Sequence, residues 1–302
     1  MIVGLIGYGE VGKILSAALA AGGQKKVIAY DILLKDAKAA AAMKERAAKD
    51  GVQLRGSPAE LLADAQLVIS AVTASAAHDV AVEAAKSIRP GTWFVDLNSC
   101  SPKTKSSSAQ LIDAAGGRFV ESAVMTSVPP YGIKVPMQLG GPHAAELASL
   151  LAPLGFSVEV ASAEIGYASA IKMCRSVVIK GMEAIFVESL ISARRYGVEQ
   201  HVLASLQETF PTIDWEQQAS YFFSRVAQHG KRRAEEMREV AVTVREAGLD
   251  PHMAAATAER QDWMAKLAAR GAFAGVGAEA GWREYADAWG DKDLAAPLKK
   301  SG

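Results

Sequence analysis

VGLIGYGEVGK, residues 3–13, places three glycines between an apolar strand-like run and a helix-forming one. Each has its own physical task in that setting. Gly7 allows a tight turn, Gly9 lets a pyrophosphate approach the backbone, and Gly12 lets helix and strand pack closely. Phosphates then meet the helix N-terminus, whose unpaired N–H groups and dipole favour negative charge. Asp31 closes the next apolar run, nineteen residues after Gly12. An acid there hydrogen-bonds the adenosine ribose diol and repels a 2′-phosphate. The competing reading is a glycine-rich turn in another α/β protein, with Asp31 as a helix cap. Motif, position and acid together favour a dinucleotide site, NAD ahead of NADP, although Lys35 lies close enough to temper that preference. Cofactor contacts are expected from Gly7, Tyr8, Gly9, Glu10, Val11, Gly12 and Asp31, and from Val72, Thr73 and Asn98 at the ends of later strands.

Outward from this loop, short β-type runs alternate with alanine-rich helical ones. Strands are expected at Ile2–Ile6, Val27–Tyr30, Leu67–Val72 and Trp93–Leu97, then at Phe119–Glu121, Met137–Leu139 and Ser157–Val160. Helices are expected at Val11–Ala21, Lys35–Lys49 and Ser75–Ile88. This alternation predicts a parallel sheet covered on both faces, and LVISAV is apolar throughout, as doubly buried strands are. From about Glu164 no strand pattern remains. Helices are expected at Tyr167–Tyr196, His201–Gln207, Trp215–His229, Arg232–Ala247 and His252–Ala269. GLDP (248–251) marks a stop before the last of these. A Gly/Ala-rich link, GAFAGVGAEAG (271–281), precedes WREYADAW (282–289). The expected domains are therefore 1–163, containing the sheet, and 164–302, all helical.

The chain has 302 residues, half of them hydrophobic, with Lys plus Arg equal to Asp plus Glu at 33 each. This neutrality points away from nucleic acid and from anionic membrane surfaces. Cys100 and Cys174 lack metal-ligand spacing, so no metal and no disulfide framework are expected, and the compartment is read as reducing. Without a leader pattern or a long apolar span, the protein is expected to be cytoplasmic.

SAIKMCRSVVIKG (169–181) sets two lysines and an arginine in an apolar run. On a helix, Ser169, Lys172, Arg175, Ser176, Lys180 and Glu183 fall on one stripe of roughly 140°. Apolar residues such as Met173, Val177, Val178 and Ile185 fill most of the rest. The pattern predicts a helix buried nearly all round, more than one small domain can cover, and hence a homodimer or higher homo-oligomer. A lysine in such a helix needs a cleft, water or a charge partner, and burial lowers its pKa towards that of a general base. Lys172 is read as functional and Lys180 as a structural ion-pair member.

On GLIGYGEVG, VDLNSCSP (95–102) and GYASAIKMCRS (166–176), the chain resembles the β-hydroxyacid dehydrogenase family, which includes 3-hydroxyisobutyrate and 6-phosphogluconate dehydrogenases. The resemblance runs over nearly the whole length. It is strongest to a branch with text like HGKRRAEEMREVAVTVREAGLDP (229–251) in its helical region. It implies an α/β Rossmann N-terminal domain followed by an all-α C-terminal domain, with a small-molecule substrate held beside the nicotinamide. It implies that Lys172, matching the family's G-x-x-x-x-x-K, is the catalytic acid–base group. The family's D-x-S-T-x-x-P loop reads DLNSCSP here, with Asn98 and Ser99 in the middle. Thr126 and Ser127 stand near the family's serine–glycine position. The usual K-x-x-N-N asparagines are replaced by Arg175 and Ser176, and the later Lys–Asp pair by Glu235–Glu236. Substrate contacts are expected from Asn98, Ser99, Thr126, Ser127, Arg175 and Ser176. Arg175 either binds an anion or pairs with Glu183 or Glu164. The implied activity is NAD-dependent hydride transfer at a hydroxyacid or alcohol. The alternatives are a lyase performing retro-aldol cleavage and a cofactor sensor, against which Lys172 argues.

Overall fold

Apolar runs punctuated by glycine and proline become β1 (Val3–Ile6), α1 (Glu10–Ala21), β2 (Val27–Tyr30), α2 (Ala37–Lys49), β3 (Gln53–Leu54), α3 (Pro58–Asp64) and β4 (Leu67–Ser70). There follow α4 (Ala77–Ala85), β5 (Trp93–Asp96), α5 (Pro102–Ala114), β6 (Arg118–Val124), β7 (Met137–Gly140), α6 (Ala144–Leu151) and β8 (Val158–Ser162). The chain continues as α7 (Tyr167–Tyr196), α8 (Glu199–Thr209), α9 (Trp215–Glu246), α10 (His252–Ala269) and α11 (Trp282–Asp287). The computed structural model describes residues 1–23, 26–277 and 279–288; Ala278 of the expected link and Trp289 of WREYADAW lie outside the described residues.

The sheet order is β3-β2-β1-β4-β5-β6-β7-β8. Its register aligns Ile6 with Tyr30 and Ser70, Ser70 with Asp96, and Asp96 with Glu121. The carboxyl ends of β1, β2, β4 and β5 therefore form one edge. One face buries Leu5, Leu67, Val95 and Leu139, and the other buries Ile6, Val68, Phe94 and Phe119. The sheet is parallel as expected except at one pair: β7 runs antiparallel to β6. A parallel return needs a substantial crossover, usually a helix. The link between these strands contains only the short 3₁₀ turn Gly132–Lys134.

Three helices beyond the expected set, α3, α5 and α6, cover the sheet. Two of them carry clear start signals. Ser57 accepts from Glu60 N and Ser101 from Thr104 N, each followed by proline at the first helical position. That combination satisfies an orphan donor and pre-sets the backbone. Trp215–Glu246, a stretch expected as two helices, forms the single α9. Gly230 is not a break: a Cβ there would lie 2.8 Å from the Gln261 carbonyl oxygen and 3.3 Å from Ala265 Cβ. It is a close-packing glycine facing α10.

Packing divides the chain into Met1–Cys174 and the residues from Arg175 onward. In the second unit Phe186, Val187, Leu190, Trp215, Phe222, Phe223, Met264 and Trp282 form the core. Within a single chain α7 is not buried all round, and the apolar positions left open are those that the expected homo-oligomer would have to cover. Its polar residues Ser169, Ser176, Lys180 and Glu183 are buried, whereas Tyr167, Ile171, Val178 and Ile185 are 51, 37, 59 and 52 % exposed. The buried polar groups are satisfied internally: Lys180 Nζ lies 2.7 Å from Glu236 Oε2, and Arg233 Nε donates to Glu183 Oε2 at 2.7 Å. Among the described residues no helix is long and apolar enough to cross a membrane.

Candidate functional site

The loop between β1 and α1 is built as its glycines require. Gly7 has φ +97°, and a Cβ there would strike the Ala71 carbonyl. A Cβ on Gly12 would strike the carbonyl oxygen of Gly7, so α1 can approach β1 only with glycine at that position. Gly9 is different: a Cβ there would meet nothing within 4 Å. The open side of the loop is therefore at Gly9, the N-cap of α1, where no side chain caps the helix.

Asp31 is buried at the end of β2 and ties the loop to it. Its Oδ2 accepts from Tyr8 N at 2.7 Å and its Oδ1 from Leu33 N at 2.9 Å. It thus caps the 3₁₀ turn Ile32–Lys35 and fixes the glycine loop at once. Of the roughly four lone-pair directions of a carboxylate, two are used. Beneath it the ring of Tyr8 is wholly buried and its hydroxyl donates to Asp50 Oδ2 at 3.1 Å. Burial, reinforced by the Asp50 carboxylate, pushes the phenol up to about 12.

At the ends of β4 and β5 the structure brings Val72 and Asn98 together. Val72 N donates to Asn98 Oδ1 at 2.7 Å. The Asn98 amide donates to Asp96 Oδ1 at 2.6 Å and to Ser70 Oγ at 3.0 Å, so both N–H groups are committed inward. Lys105, buried on α5, donates to the Asp96 carbonyl at 2.9 Å and pairs with Asp96 Oδ2 at 3.0 Å. Ser99 is half-buried beside this knot, and Thr73 is exposed with its hydroxyl 3.1 Å from that of Ser75.

The start of α7 is held by a carboxylate from β6. Glu121 is fully buried, and its Oε1 accepts from Gly166 N at 2.8 Å and Ala168 N at 3.0 Å, its Oε2 from Ser169 N at 3.3 Å. A Cβ at Gly140 would collide with that carboxylate, and one at Gly166 would lie 3.2 Å from Pro102 Cβ. The first turn of α7 therefore abuts the start of α5, just past the Asn98–Ser101 loop. Lys172 is half-buried on the next turn.

A family model described as the NAD binding domain of 6-phosphogluconate dehydrogenase matches residues 2–128, and the model "Domain of unknown function (DUF1932)" matches residues 193–264. An uncharacterized 28.5 kDa protein in the 7S RNA 5′ region of Methanothermus fervidus is 30 % identical over 84 % of this chain and 94 % of its own. A crystal structure of a conserved hypothetical protein from Sinorhizobium meliloti has 39 % identity, 95 % coverage of both chains and a TM-score of 0.74. The conserved protein MTH1747, described as structurally similar to 3-hydroxyacid dehydrogenases, has 33 % identity, 90 and 99 % coverage and a TM-score of 0.68. The chain belongs to the β-hydroxyacid dehydrogenase family.

In this β-hydroxyacid dehydrogenase family member the N-terminal domain is a Rossmann-type NAD-binding domain and the C-terminal region is helical. Thr126 is exposed and Ser127 half-buried in the link after β6. Arg175 is exposed and Ser176 buried in the second unit, where Lys180 Nζ donates to Ser176 Oγ at 3.3 Å. Glu183, weighed as a partner for Arg175 and for Lys180, is taken by Arg233. Glu121, Asp96 and Lys105 were not expected as site residues. One signal for Glu121 lies in the sequence: E-I-G-Y before α7 offers no Ser, Thr, Asp or Asn as a local cap, so the cap must come from elsewhere.

Proposed function

We propose that this chain is an NAD-dependent oxidoreductase exchanging hydride with a hydroxyl-bearing small molecule, a hydroxyacid or an alcohol, with Lys172 as the acid–base group. The observation that carries the reading is the glycine loop: open at Gly9, packed at Gly7 and Gly12, and tied through Tyr8 N to a buried acid at the end of β2. These residues fit a dinucleotide. The N–H groups at the start of α1 would hold its pyrophosphate, and the remaining acceptor directions of Asp31 would hold the adenosine ribose diol. Asp31 disfavours a 2′-phosphate, which supports NAD over NADP. When bound, the nicotinamide supplies the hydride acceptor or donor.

Lys172 Nζ takes the substrate hydroxyl proton during oxidation and returns it during reduction. An arginine would stay protonated at any working pH, so Arg175 is assigned to an anionic group of the substrate instead. Ser99, Thr126, Ser127 and Ser176 are the hydroxyl-bearing candidates for further substrate contacts. The exposed apolar residues of α7, spaced seven apart at Ile171, Val178 and Ile185, support a homo-oligomer. The domain limits 1–163 and 164–302 and a cytoplasmic setting belong to the same reading.

Titration calorimetry with NAD and NADP, followed by NADH formation across a panel of small hydroxyacids and alcohols, tests it. NAD is expected to bind more tightly. Lys172→Met should cost about a hundredfold to ten-thousandfold in turnover and leave NAD affinity unchanged. Equal affinity for the two dinucleotides removes the assignment of Asp31, and near-normal turnover of Lys172→Met removes that of the lysine. Carbon–carbon cleavage without net NADH moves the reading to a lyase.

A further inference from the structure

Lys105 lies on α5 with 1 % of its side chain exposed, yet it carries an ammonium group. A buried ion pair seldom stabilises more than well-packed apolar residues of the same volume, because both charges must leave water. Its position in the fold supplies another role. Lys105 Nζ holds Asp96 through both Oδ2 and the carbonyl oxygen. Asp96 Oδ1 in turn accepts from the backbone N of Asn98 at 2.9 Å and from its side-chain amide. Asn98 Oδ1 receives the N–H of Val72, and the other amide hydrogen goes to Ser70 Oγ. Ammonium, carboxylate, amide and backbone N–H thus form one buried chain joining α5 to the ends of β4 and β5.

The sheet order shows what those ends face. With β3-β2-β1 on one side and β4-β5 on the other, the strand order reverses between β1 and β4. Dinucleotides lie across such a switch point. If the adenosine ribose sits at Asp31 just past β2 and the pyrophosphate at Gly9–Gly12, the remaining half lies over β4 and β5. We propose that Lys105 is a positioning residue: through Asp96 and Asn98 it fixes the Val72 and Asn98–Ser99 loops that receive the nicotinamide half of the dinucleotide. Asn98 then acts through Val72 and not by donating its amide to a ligand. The inference rests on the dinucleotide reading of the glycine loop.

The test uses two ligands that differ only in that half, NAD and ADP-ribose, titrated calorimetrically into the full chain. The proteins are wild type, Lys105→Met and the double variant Asp96→Asn with Lys105→Met. The single variant leaves a buried carboxylate without its cation; the double variant removes both charges and guards against simple misfolding. Losing one charge-assisted hydrogen bond in the chain corresponds to roughly a tenfold to hundredfold weakening. That loss is expected for NAD in both variants, with ADP-ribose affinity unchanged. A purely structural lysine would move both ligands together or neither, and either result overturns the inference, as does failure of both variants to fold. If only the single variant misfolds, the double variant carries the same expectation. Wild type binding neither ligand defeats the dinucleotide reading itself, and the inference with it. Wild type binding both, with variants that fail to separate them, defeats the inference alone.

Discussion

Replacing Glu121 by glutamine exchanges one oxygen for an NH₂ group in a side chain that accepts three backbone N–H groups with no exposure to solvent. The best orientation keeps the remaining oxygen on Gly166 and Ala168. The new amide then faces Ser169 N, donor against donor. Leaving that buried donor unpaired costs about 1–3 kcal/mol. Removing a negative charge from a buried helix N-terminus adds up to about 2 kcal/mol. Together these span about 1–5 kcal/mol, with about 2–4 kcal/mol at the centre of the range, concentrated on the first turns of α7. Because the chain packs as two units, one global unfolding free energy is not well defined, and a local measure is better. Amide hydrogen exchange at Ala168, Ser169 and Ala170 should accelerate roughly thirtyfold to a thousandfold, while β1 and β4 amides serve as internal references. Unchanged protection at these amides, with an unchanged melting temperature, would refute the capping argument.

Asp31→Ala should narrow the gap between NAD and NADP affinities measured by calorimetry. It should also lower local stability by about 1–3 kcal/mol, read as faster amide exchange at Tyr8 and Leu33, because those N–H groups lose their acceptor. The Tyr8 phenol, held near 12 against an ordinary value of about 10, favours its neutral form in the folded state. Its contribution is complete below pH ~10 and is lost as pH rises through ~12, about 2–3 kcal/mol in all, so Tyr8→Phe should flatten that part of the alkaline stability curve in denaturant titrations. Val178→Glu, on the exposed apolar face of α7, should shift the chain towards monomer in light scattering; an unchanged mass would place the contact elsewhere.

Short-range features were legible in the residues themselves. The glycine spacing at 7, 9 and 12 dictates backbone conformation and close approach, which depend on the absence of a Cβ and on little else. The helical spans Tyr167–Tyr196 and His252–Ala269 were readable because capping glycines and proline punctuate them locally. Asp31 was legible as an acid at a strand end, and its hydrogen bond to Tyr8 is a natural extension of that position. The tertiary structure decided everything that needs two distant segments to meet. Gly230 looked like a helix break and is a packing contact with α10. Lys180 and Glu183 of the α7 polar stripe turned inward because Glu236 and Arg233 on α9 supply charges that no periodicity within α7 could announce. Glu121 caps a helix that starts more than forty residues later, and Lys105 reaches Asp96 beneath a strand end. A window of sequence carries spacing and backbone preference. The partner of a buried polar group is chosen only when strands and helices from separate stretches are brought together out of water, where leaving it unpaired would cost more than the fold can bear.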